Sequence, residues 1–217
     1  MKAQLIYLIA FITLLSCNSN NSKVVGIQPF GDFETTLIDT ISNTIKKVYG
    51  YEVIVLENRS MPRSAFVHIK KDKPRYRADT LIRILKKDKP NNVDIVLGLT
   101  AKDISTTKWD YSHKPRKVKI DPKGKYDYRD WRIFGLAFVS GKSCVVSTFS
   151  PKKSDMKNNT NKLVERIKKI CIHEIGHNLG LKHCTADNKC VMRDAVELIN
   201  TIDKVDLALC GTCLNII

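Results

Sequence analysis

Hydrophobic positions follow two different periods in the first hundred residues of the chain. Short, nearly continuous apolar runs at 24–27, 53–56 and 93–99 are typical of buried strands. Between them, the segments 33–48 and 76–85 repeat apolar residues at spacings of three and four, which predicts helices. Strand, helix, strand, helix and strand in this order indicate a parallel sheet covered by helices.

The second half of the chain adds a hairpin and a long helix. The apolar runs 133–139 and 143–149 are separated only by Ser140, Gly141 and Lys142, so they predict two antiparallel strands. The segment 161–179 carries an apolar stripe at helical spacing, formed by Val164, Ile167, Cys171, Ile175 and Leu179. We therefore predict an α/β fold with a twisted, mixed five-stranded sheet.

Composition and charge restrict the class of protein. With 43% hydrophobic and 27% charged residues among 217, the chain is neither a disordered polymer nor a polytopic membrane protein. The 37 Lys and Arg residues exceed the 22 Asp and Glu residues, which gives a formal net charge of +15. Such a charge favours acidic partners, either an anionic membrane surface or a nucleic acid.

The N-terminus has the features of an export signal. Lys2 precedes an apolar run at 5–15 that is too short to span a bilayer as a helix. The sequence Leu-Leu-Ser-Cys that ends at Cys17 resembles the bacterial lipoprotein signal, in which the cysteine becomes the lipidated first residue. We predict a signal peptide at 1–17, a polar tether at 18–22 and a membrane-anchored lipoprotein of the bacterial cell envelope. The alternative is an ordinary secretory signal with an unmodified cysteine.

A basic and aromatic segment lies between the third and fourth predicted strands. Residues 102–132 contain ten basic and five acidic residues. They are interleaved with Trp109, Tyr111, Tyr126, Tyr128 and Trp131. Such a segment can bind a nucleic acid strand, but long polar segments are more often solvated loops or lids, and we favour the loop.

The long predicted helix carries two histidines and a glutamate. His173 and His177 are four residues apart, so both project from one face of the helix and can bind one zinc ion. Glu174 follows His173 directly, where its carboxylate can reach a metal-bound water. Gly180 permits the positive φ that turns the chain back, so that His183 can supply a third nitrogen.

A group of cysteines near the C-terminus is a second candidate metal site. Cys184, Cys190, Cys210 and Cys213 lie within the last 34 residues, and the last two have the spacing of a zinc knuckle. Four thiolates would hold one structural zinc ion. Two disulfides are the alternative, since exported proteins normally oxidise their cysteines.

These motifs together resemble the archaemetzincin (archaelysin) family of zinc metallopeptidases. The sequence His-Glu-Ile-Gly-His-Asn-Leu-Gly-Leu-Lys-His-Cys covers 173–184, followed by Cys-Val-Met at 190–192 and Cys-Gly-Thr-Cys at 210–213. The one departure is that five residues separate Cys184 from Cys190, where the family pattern has four.

The resemblance implies the following roles. His173, His177 and His183 bind a catalytic zinc ion, Glu174 is the general base and acid, and Met192 forms a Met-turn beneath the metal. The four clustered cysteines hold a second, structural zinc ion. The resemblance also implies a metzincin-like fold, with an N-terminal subdomain at 23–180 and a small irregular C-terminal subdomain at 181–217.

The sequence-based prediction is a zinc-dependent endopeptidase or aminopeptidase-like hydrolase that acts on peptides or proteins. It is expected to be a monomer, to contact the membrane through Cys17 and to bind no nucleic acid. The alternative is a non-catalytic, zinc-stabilised module that binds surfaces through the segment 102–132. Glu174 argues against that alternative, because a structural zinc site has no use for a carboxylate beside its first histidine.

Overall fold

The computed structural model describes residues 22–67, 74–110, 112, 117–123, 128–153, 160–194 and 198–217. The predicted signal peptide, Cys17 and all but the last residue of the predicted tether lie outside the described residues. Within the described ranges, none of the helices has the length and apolar character needed to cross a membrane.

The described residues form strands and helices as follows. The strands are β1 (Val24–Phe30), β2 (Glu52–Val55), β3 (Phe66–Val67), β4 (Arg75–Arg77), β5 (Ile95–Thr100), β6 (Ile104–Thr106), β7 (Trp109–Asp110), β8 (Lys117–Val118), β9 (Trp131–Ile133), β10 (Gly135–Ala137) and β11 (Ser143–Ser147). The helices are α1 (Thr35–Tyr49), α2 (Ala78–Lys87), α3 (Phe149–Lys153), α4 (Thr160–Asn178), α5 (Ile199–Lys204) and α6 (Gly211–Leu214).

The main sheet has five strands in the order β10-β11-β5-β1-β2. The strands β11, β5, β1 and β2 are parallel to one another. The edge strand β10 is antiparallel to its neighbour β11. Every residue of β5 is buried, as expected of a strand covered on both faces. The predicted α/β class with a mixed five-stranded sheet is confirmed.

A second sheet, which the hydrophobic pattern did not predict, pairs β3, β4, β6 and β9. The apolar run at 133–139 is consequently divided, with Ile133 ending β9 in this sheet and Gly135 beginning β10 in the main sheet. Tyr76, predicted as the first helical residue, lies in β4 instead, opposite Ile104 of β6. Inter-strand pairing has overridden the local helical period at both places.

The predicted loop 102–132 is therefore partly regular structure. Its two ends form β6 and β9 of the second sheet, and β7 pairs with β8 as a small hairpin. Some of its basic and aromatic side chains contact each other, since Lys108 Nζ lies 4.5 Å from the ring centre of Trp131 and Lys119 Nζ lies 5.5 Å from that of Tyr128. These contacts occupy aromatic faces that a nucleic acid base would need.

The main sheet separates two hydrophobic cores. Helices α1 and α4 pack with one face, which Ile95, Leu97 and Leu99 of β5 line, whereas α2 and the second sheet pack against the other. Successive residues of a strand point to opposite faces, which is why Val96 belongs to the second core. Helix α4, which carries the predicted metal ligands, is thus held directly against the sheet.

The chain beyond α4 is short and mostly irregular. Gly180 ends the helix with a φ of 103°, a conformation that glycine adopts without steric cost. The segment then returns along α4, where Leu181, Met192 and Ile202 are buried in the first core. This return brings His183 and Met192 back to the end of the helix that carries His173 and His177.

Candidate metal centre

Three imidazole rings meet at the C-terminal end of α4. The ring centres of His173 and His177 are 4.6 Å apart, because residues at positions i and i+4 share one helical face. His183, placed by the turn at Gly180, lies 5.4 Å from the first ring and 5.1 Å from the second. One nitrogen from each ring lies within 4.8 Å of the others, close enough to share one metal ion.

Two backbone carbonyls fix the orientation of the helical histidines. His173 Nδ1 lies 2.9 Å from the carbonyl oxygen of Val191, and His177 Nδ1 lies 2.8 Å from that of Leu181. A carbonyl oxygen can only accept, so each Nδ1 carries the proton and donates. Both Nε2 atoms therefore keep their lone pairs for a metal, the arrangement that is usual around protein-bound zinc.

Burial keeps these imidazoles in the neutral, metal-binding form. Desolvation, with a contribution from the neighbouring His177, lowers the pKa of His173 to about 3. Desolvation also lowers the pKa of His177. His183 is exposed, so the group opens to solvent on the side of this third ring. The three nitrogens provide a site with room for a further, exchangeable ligand.

Glu174 is a buried carboxyl next to this group. Its residue is 3% exposed, and within the described part of the chain no hydrogen-bond donor or cation pairs with it. Desolvation accordingly raises its pKa to about 8. Gly135 of the edge strand β10 packs directly on it, since a Cβ at that glycine would lie 2.6 Å from Glu174 Oε1. Strand β10 thus limits the space available to the Glu174 carboxyl.

Met192, predicted to form a Met-turn, packs against helix α4 at Gly176. It is fully buried, and a Cβ at Gly176 would lie 2.5 Å from its sulfur. Tyr49 of α1 contacts the same helix, because its hydroxyl donates a hydrogen bond to the Ile172 carbonyl at 2.7 Å. The residue directly before His177 must therefore be a glycine for Met192 to occupy this place.

The four clustered cysteines converge although their sequence spacing departs from the family pattern. Their sulfurs all lie within 4.8 Å of one another, with 3.6 Å between Cys184 and Cys210 and 3.7 Å between Cys190 and Cys213. Four sulfurs at the usual Zn–S distance of about 2.3 Å form a tetrahedron with edges of about 3.8 Å. The observed separations match that edge, whereas a disulfide requires about 2.05 Å.

The sulfurs differ in their tendency to ionise. The backbone N–H of Cys213 lowers the pKa of the Cys210 thiol to about 7, while burial raises the pKa of Cys190. Metal ions bind thiolates, so binding would have to release protons from the buried cysteines. All four are free cysteines here.

The imidazole group and the cysteine group are connected by two adjacent residues. His183 belongs to the imidazoles and Cys184 to the sulfurs, and the Cys184 N–H donates to the Met192 carbonyl at 2.7 Å. The sequence alone did not identify two residues that contact helix α4 beside the imidazole group. Gly135 has a recognisable signal, because a glycine inside an apolar strand often marks a close approach. Tyr49 has none, since its partner lies 123 residues away.

The donor sets fit zinc. Three nitrogens with an open position are typical of a catalytic zinc site, and four sulfurs in a closed tetrahedron are typical of a structural one. With an α/β fold and a carboxyl beside the imidazoles, these features define a zinc-dependent metallopeptidase.

Comparison with known proteins identifies the family. The sequence profile described as Peptidase family M54 matches residues 22–217. The archaemetzincin of Haloquadratum walsbyi is 30% identical over 195 residues, which are 88% of this chain and 96% of the relative. That of Halobacterium salinarum is 27% identical over 194 residues, covering 87% and 96%. The chain therefore belongs to peptidase family M54, the archaemetzincins.

Solved structures agree with this assignment. The crystal structure of the archaemetzincin of Archaeoglobus fulgidus complexed with malonate matches with a TM-score of 0.66 and 26% identity, covering 89% of this chain and 99% of the other. The archaemetzincin of Methanopyrus kandleri matches with a TM-score of 0.67 and 23% identity, covering 92% and 95%, which supports the fold.

Proposed function

We propose that this protein hydrolyses peptide bonds at a single zinc ion held by His173, His177 and His183. The observation that carries the proposal is Glu174, a buried carboxyl without a structural partner, which lies on the same helix as two of the ligands. A buried carboxyl that stabilises nothing else in the described structure costs folding energy, and such a cost is typical of a functional residue.

Zinc, when bound, would polarise the scissile carbonyl and acidify a water molecule. The chain's own contribution is proton transfer by Glu174, whose burial raises its pKa and so makes its carboxylate a stronger base than a solvated one. In this assignment its carboxylate takes the proton of the attacking water and delivers it to the leaving amine. His173 and His177 would remain neutral, because desolvation lowers the pKa of both imidazoles.

We further propose that the four cysteines hold a second, structural zinc ion, so that the chain binds two. The sulfur separations of 3.6 and 3.7 Å support a tetrahedral ion over two disulfides. Met192, in this proposal, supports the imidazoles from below and does not take part in the reaction.

The proposed substrate is an extended segment of a peptide or protein, which pairs with the outer edge of β10, where none of the described strands pairs. Ser147 N–H donates to the Phe134 carbonyl, and these two residues are opposite each other in the hairpin. Bonded and non-bonded pairs alternate in an antiparallel ladder, so Leu136 faces β11 while Gly135 and Ala137 direct their N–H and C=O groups outward. An added strand would bind to these groups.

The test compares wild type with Glu174→Gln on a mixed peptide library. The amide keeps the shape of the side chain but cannot act as a base, so we expect two zinc ions per chain and at least about a hundredfold slower hydrolysis. Glu52→Gln, on an exposed position of β2, is the matched control and should hydrolyse at the wild-type rate. Hydrolysis by Glu174→Gln at the control rate would exclude this role.

Two further outcomes decide the mode of action. Cleavage of peptides with acetylated N-termini would assign an endopeptidase, and cleavage restricted to free N-termini would assign an aminopeptidase-like enzyme. No hydrolysis by either wild type or variant, with zinc bound to both, would favour the non-catalytic surface-binding module.

We also propose that the protein is exported and anchored to a membrane of the bacterial cell envelope through lipidated Cys17. The supporting observation is the sequence Leu-Leu-Ser-Cys that follows the apolar run. A single acyl chain binds weakly, so the net positive charge would add attraction to anionic lipids. Labelled palmitate should enter the wild type in a bacterial host and be absent from Cys17→Ala. Equal labelling of both would contradict the anchor.

A further inference from the structure

The turn of the β10–β11 hairpin is bonded to the end of helix α4. Gly141 N–H closes the turn by donating to the Phe138 carbonyl at 2.9 Å, and Ser140 within it has a φ of 57°. Ser140 N–H donates to the His177 carbonyl at 2.8 Å. The same carbonyl also accepts from Gly180 N–H at 3.0 Å. Carbonyls in the last turn of a helix lack the usual intrahelical partner, so the hairpin adds a second donor at this end.

Asn178 makes the side-chain part of this connection. The residue is 6% exposed, and its Nδ2 donates to the Phe138 carbonyl at 3.2 Å and to the Ser143 carbonyl at 3.1 Å. These two carbonyls belong to opposite strands at the base of the turn. The contact is close, because a Cβ at Gly141 would lie 2.8 Å from Asn178 Nδ2. One amide group therefore holds both strands of the hairpin.

The edge strand contacts α4 at two points that bracket its outward-facing backbone. At one end Gly135 packs on Glu174, and at the other Phe138 accepts from Asn178. The two helical residues are one turn apart, about 6 Å along the axis. Gly135 and Ala137, whose outward groups are proposed to bind substrate, lie at or between these contacts. The distance from the strand to the imidazoles is thus set at both ends by side chains of the same helix.

We propose that Asn178 is a positioning residue that holds the edge strand at the distance from the zinc ligands that an extended peptide requires. The proposal rests on the proposed peptidase function and assigns Asn178 no contact with the reacting atoms. Its loss should weaken binding of ligands that use the strand and leave the metal unaffected. A displacement of about 1 Å in a positioning element is enough to weaken the binding of a substrate that must be held in one orientation.

The residue type is specific to this task. An amide nitrogen has two protons, one for each carbonyl, whereas a carboxylate of the same shape has none and would face two acceptors. Asn178→Asp therefore removes the two hydrogen bonds and keeps the side-chain volume, whereas Asn178→Ala removes the hydrogen bonds and the volume. Gly141→Ala tests the same contact from the hairpin side, because its new methyl group would lie 2.8 Å from both the Asn178 amide nitrogen and the Phe138 carbonyl oxygen that this nitrogen binds. Asn43→Asp, at an exposed position of α1, is the matched control.

The experiment measures dissociation constants of two zinc-binding probes for the full, zinc-loaded protein. Acetohydroxamate contacts the metal alone, and a peptidyl hydroxamate adds an extended chain that can pair with β10. We expect Asn178→Asp, Asn178→Ala and Gly141→Ala to weaken the peptidyl probe at least about tenfold while acetohydroxamate binding stays within about twofold. With a cleaved peptide as substrate, KM should rise about tenfold and kcat should stay within about threefold.

The outcomes separate this proposal from the proposed function. An unchanged ratio of the two dissociation constants in all three variants would overturn the positioning role, as would equal weakening of both probes, which would indicate general damage to the metal site. If one variant fails to fold, the other two still decide. A wild type that cleaves no peptide would contradict the peptidase function, whereas the ratio of dissociation constants would still test Asn178.

Discussion

Glycine at three positions is required by what packs against it. Gly135 adjoins the Glu174 carboxyl, Gly176 adjoins the Met192 sulfur and Gly141 adjoins the Asn178 amide. In each case a Cβ would lie 2.5 to 2.8 Å from a side-chain atom, which is closer than non-bonded atoms approach. These glycines therefore set the geometry of functional side chains without contacting a substrate through side chains of their own.

We predict that Gly135→Ala lowers hydrolysis at least about tenfold while zinc content stays unchanged. The added methyl group would displace Glu174 Oε1, from which it is only 2.6 Å away, and a displaced base transfers protons poorly. The measurement is kcat with zinc determined on the same samples. Wild-type kcat in a correctly loaded variant would mean that Glu174 tolerates another position.

At the scale of elements, an ion pair connects the C-terminal segment to helix α4. Arg166 of α4 donates from Nε and Nη2 to the two carboxylate oxygens of Asp203 in α5, both at 2.7 Å. The arginine side chain is 6% exposed and the aspartate side chain 27%. A guanidinium this deeply buried depends on its partner, because burying a charge alone is costly.

We predict that Asp203→Asn lowers the free energy of unfolding by about 2 kcal/mol at pH 7, less than for a fully buried pair because the aspartate remains partly solvated. The matched control is Asp88→Asn, whose pair with Arg59 is 41% and 51% exposed and should contribute less than about 0.5 kcal/mol. Urea denaturation in excess zinc measures both. Equal losses in the two variants would contradict the importance of burial.

The pH dependence of this difference has a definite sign. Hydrogen bonds from Arg166 lower the pKa of Asp203 in the folded protein, so the unfolded chain binds the proton more tightly. The stabilisation is complete above the unfolded pKa of about 3.9 and is lost as pH falls through the lower folded value. The gap between wild type and Asp203→Asn should therefore be constant from about pH 5 to 7 and shrink below about pH 4.

At the scale of the whole molecule, the two proposed metal sites share one short piece of backbone. His183 and Cys184 are adjacent, and their side chains belong to different ligand groups. An ion bound to Cys184 would restrain the backbone that carries His183. Loss of such support around a metal ligand typically costs about 10- to 100-fold in metal affinity or activity.

We predict that Cys184→Ser loses the structural zinc and binds the catalytic zinc about 10- to 100-fold more weakly. Cys144→Ala is the matched control, since Cys144 is a buried cysteine of β11 outside the cluster, and it should retain two ions. Metal analysis with thiol counting under non-reducing conditions gives the result. One zinc and two disulfides in the wild type would contradict the two-site proposal.

The local hydrophobic pattern was sufficient to predict an element where that element is long and its apolar residues recur at a regular spacing. The stripe from Val164 to Leu179 predicted α4, which the structure begins at Thr160 and ends at Asn178. The local hydrophobic pattern was insufficient for short strands that pair with strands far away in the sequence. The run at 133–139 is divided between two sheets because β9 pairs with β6 while β10 pairs with β11, and no local property of the run encodes that choice.

The sequence by itself determined the residue types and spacings that bind metal, because two histidines four apart on a helix must share a face and a glycine three residues later allows the chain to return. Only the tertiary structure decided what surrounds them. Gly135, Tyr49 and the hairpin turn reach α4 from distant parts of the chain, and a contact between residues far apart in sequence depends on the packing of the whole sheet. The three histidines lie close together in the sequence, whereas the position of β10 relative to them is a property of the fold.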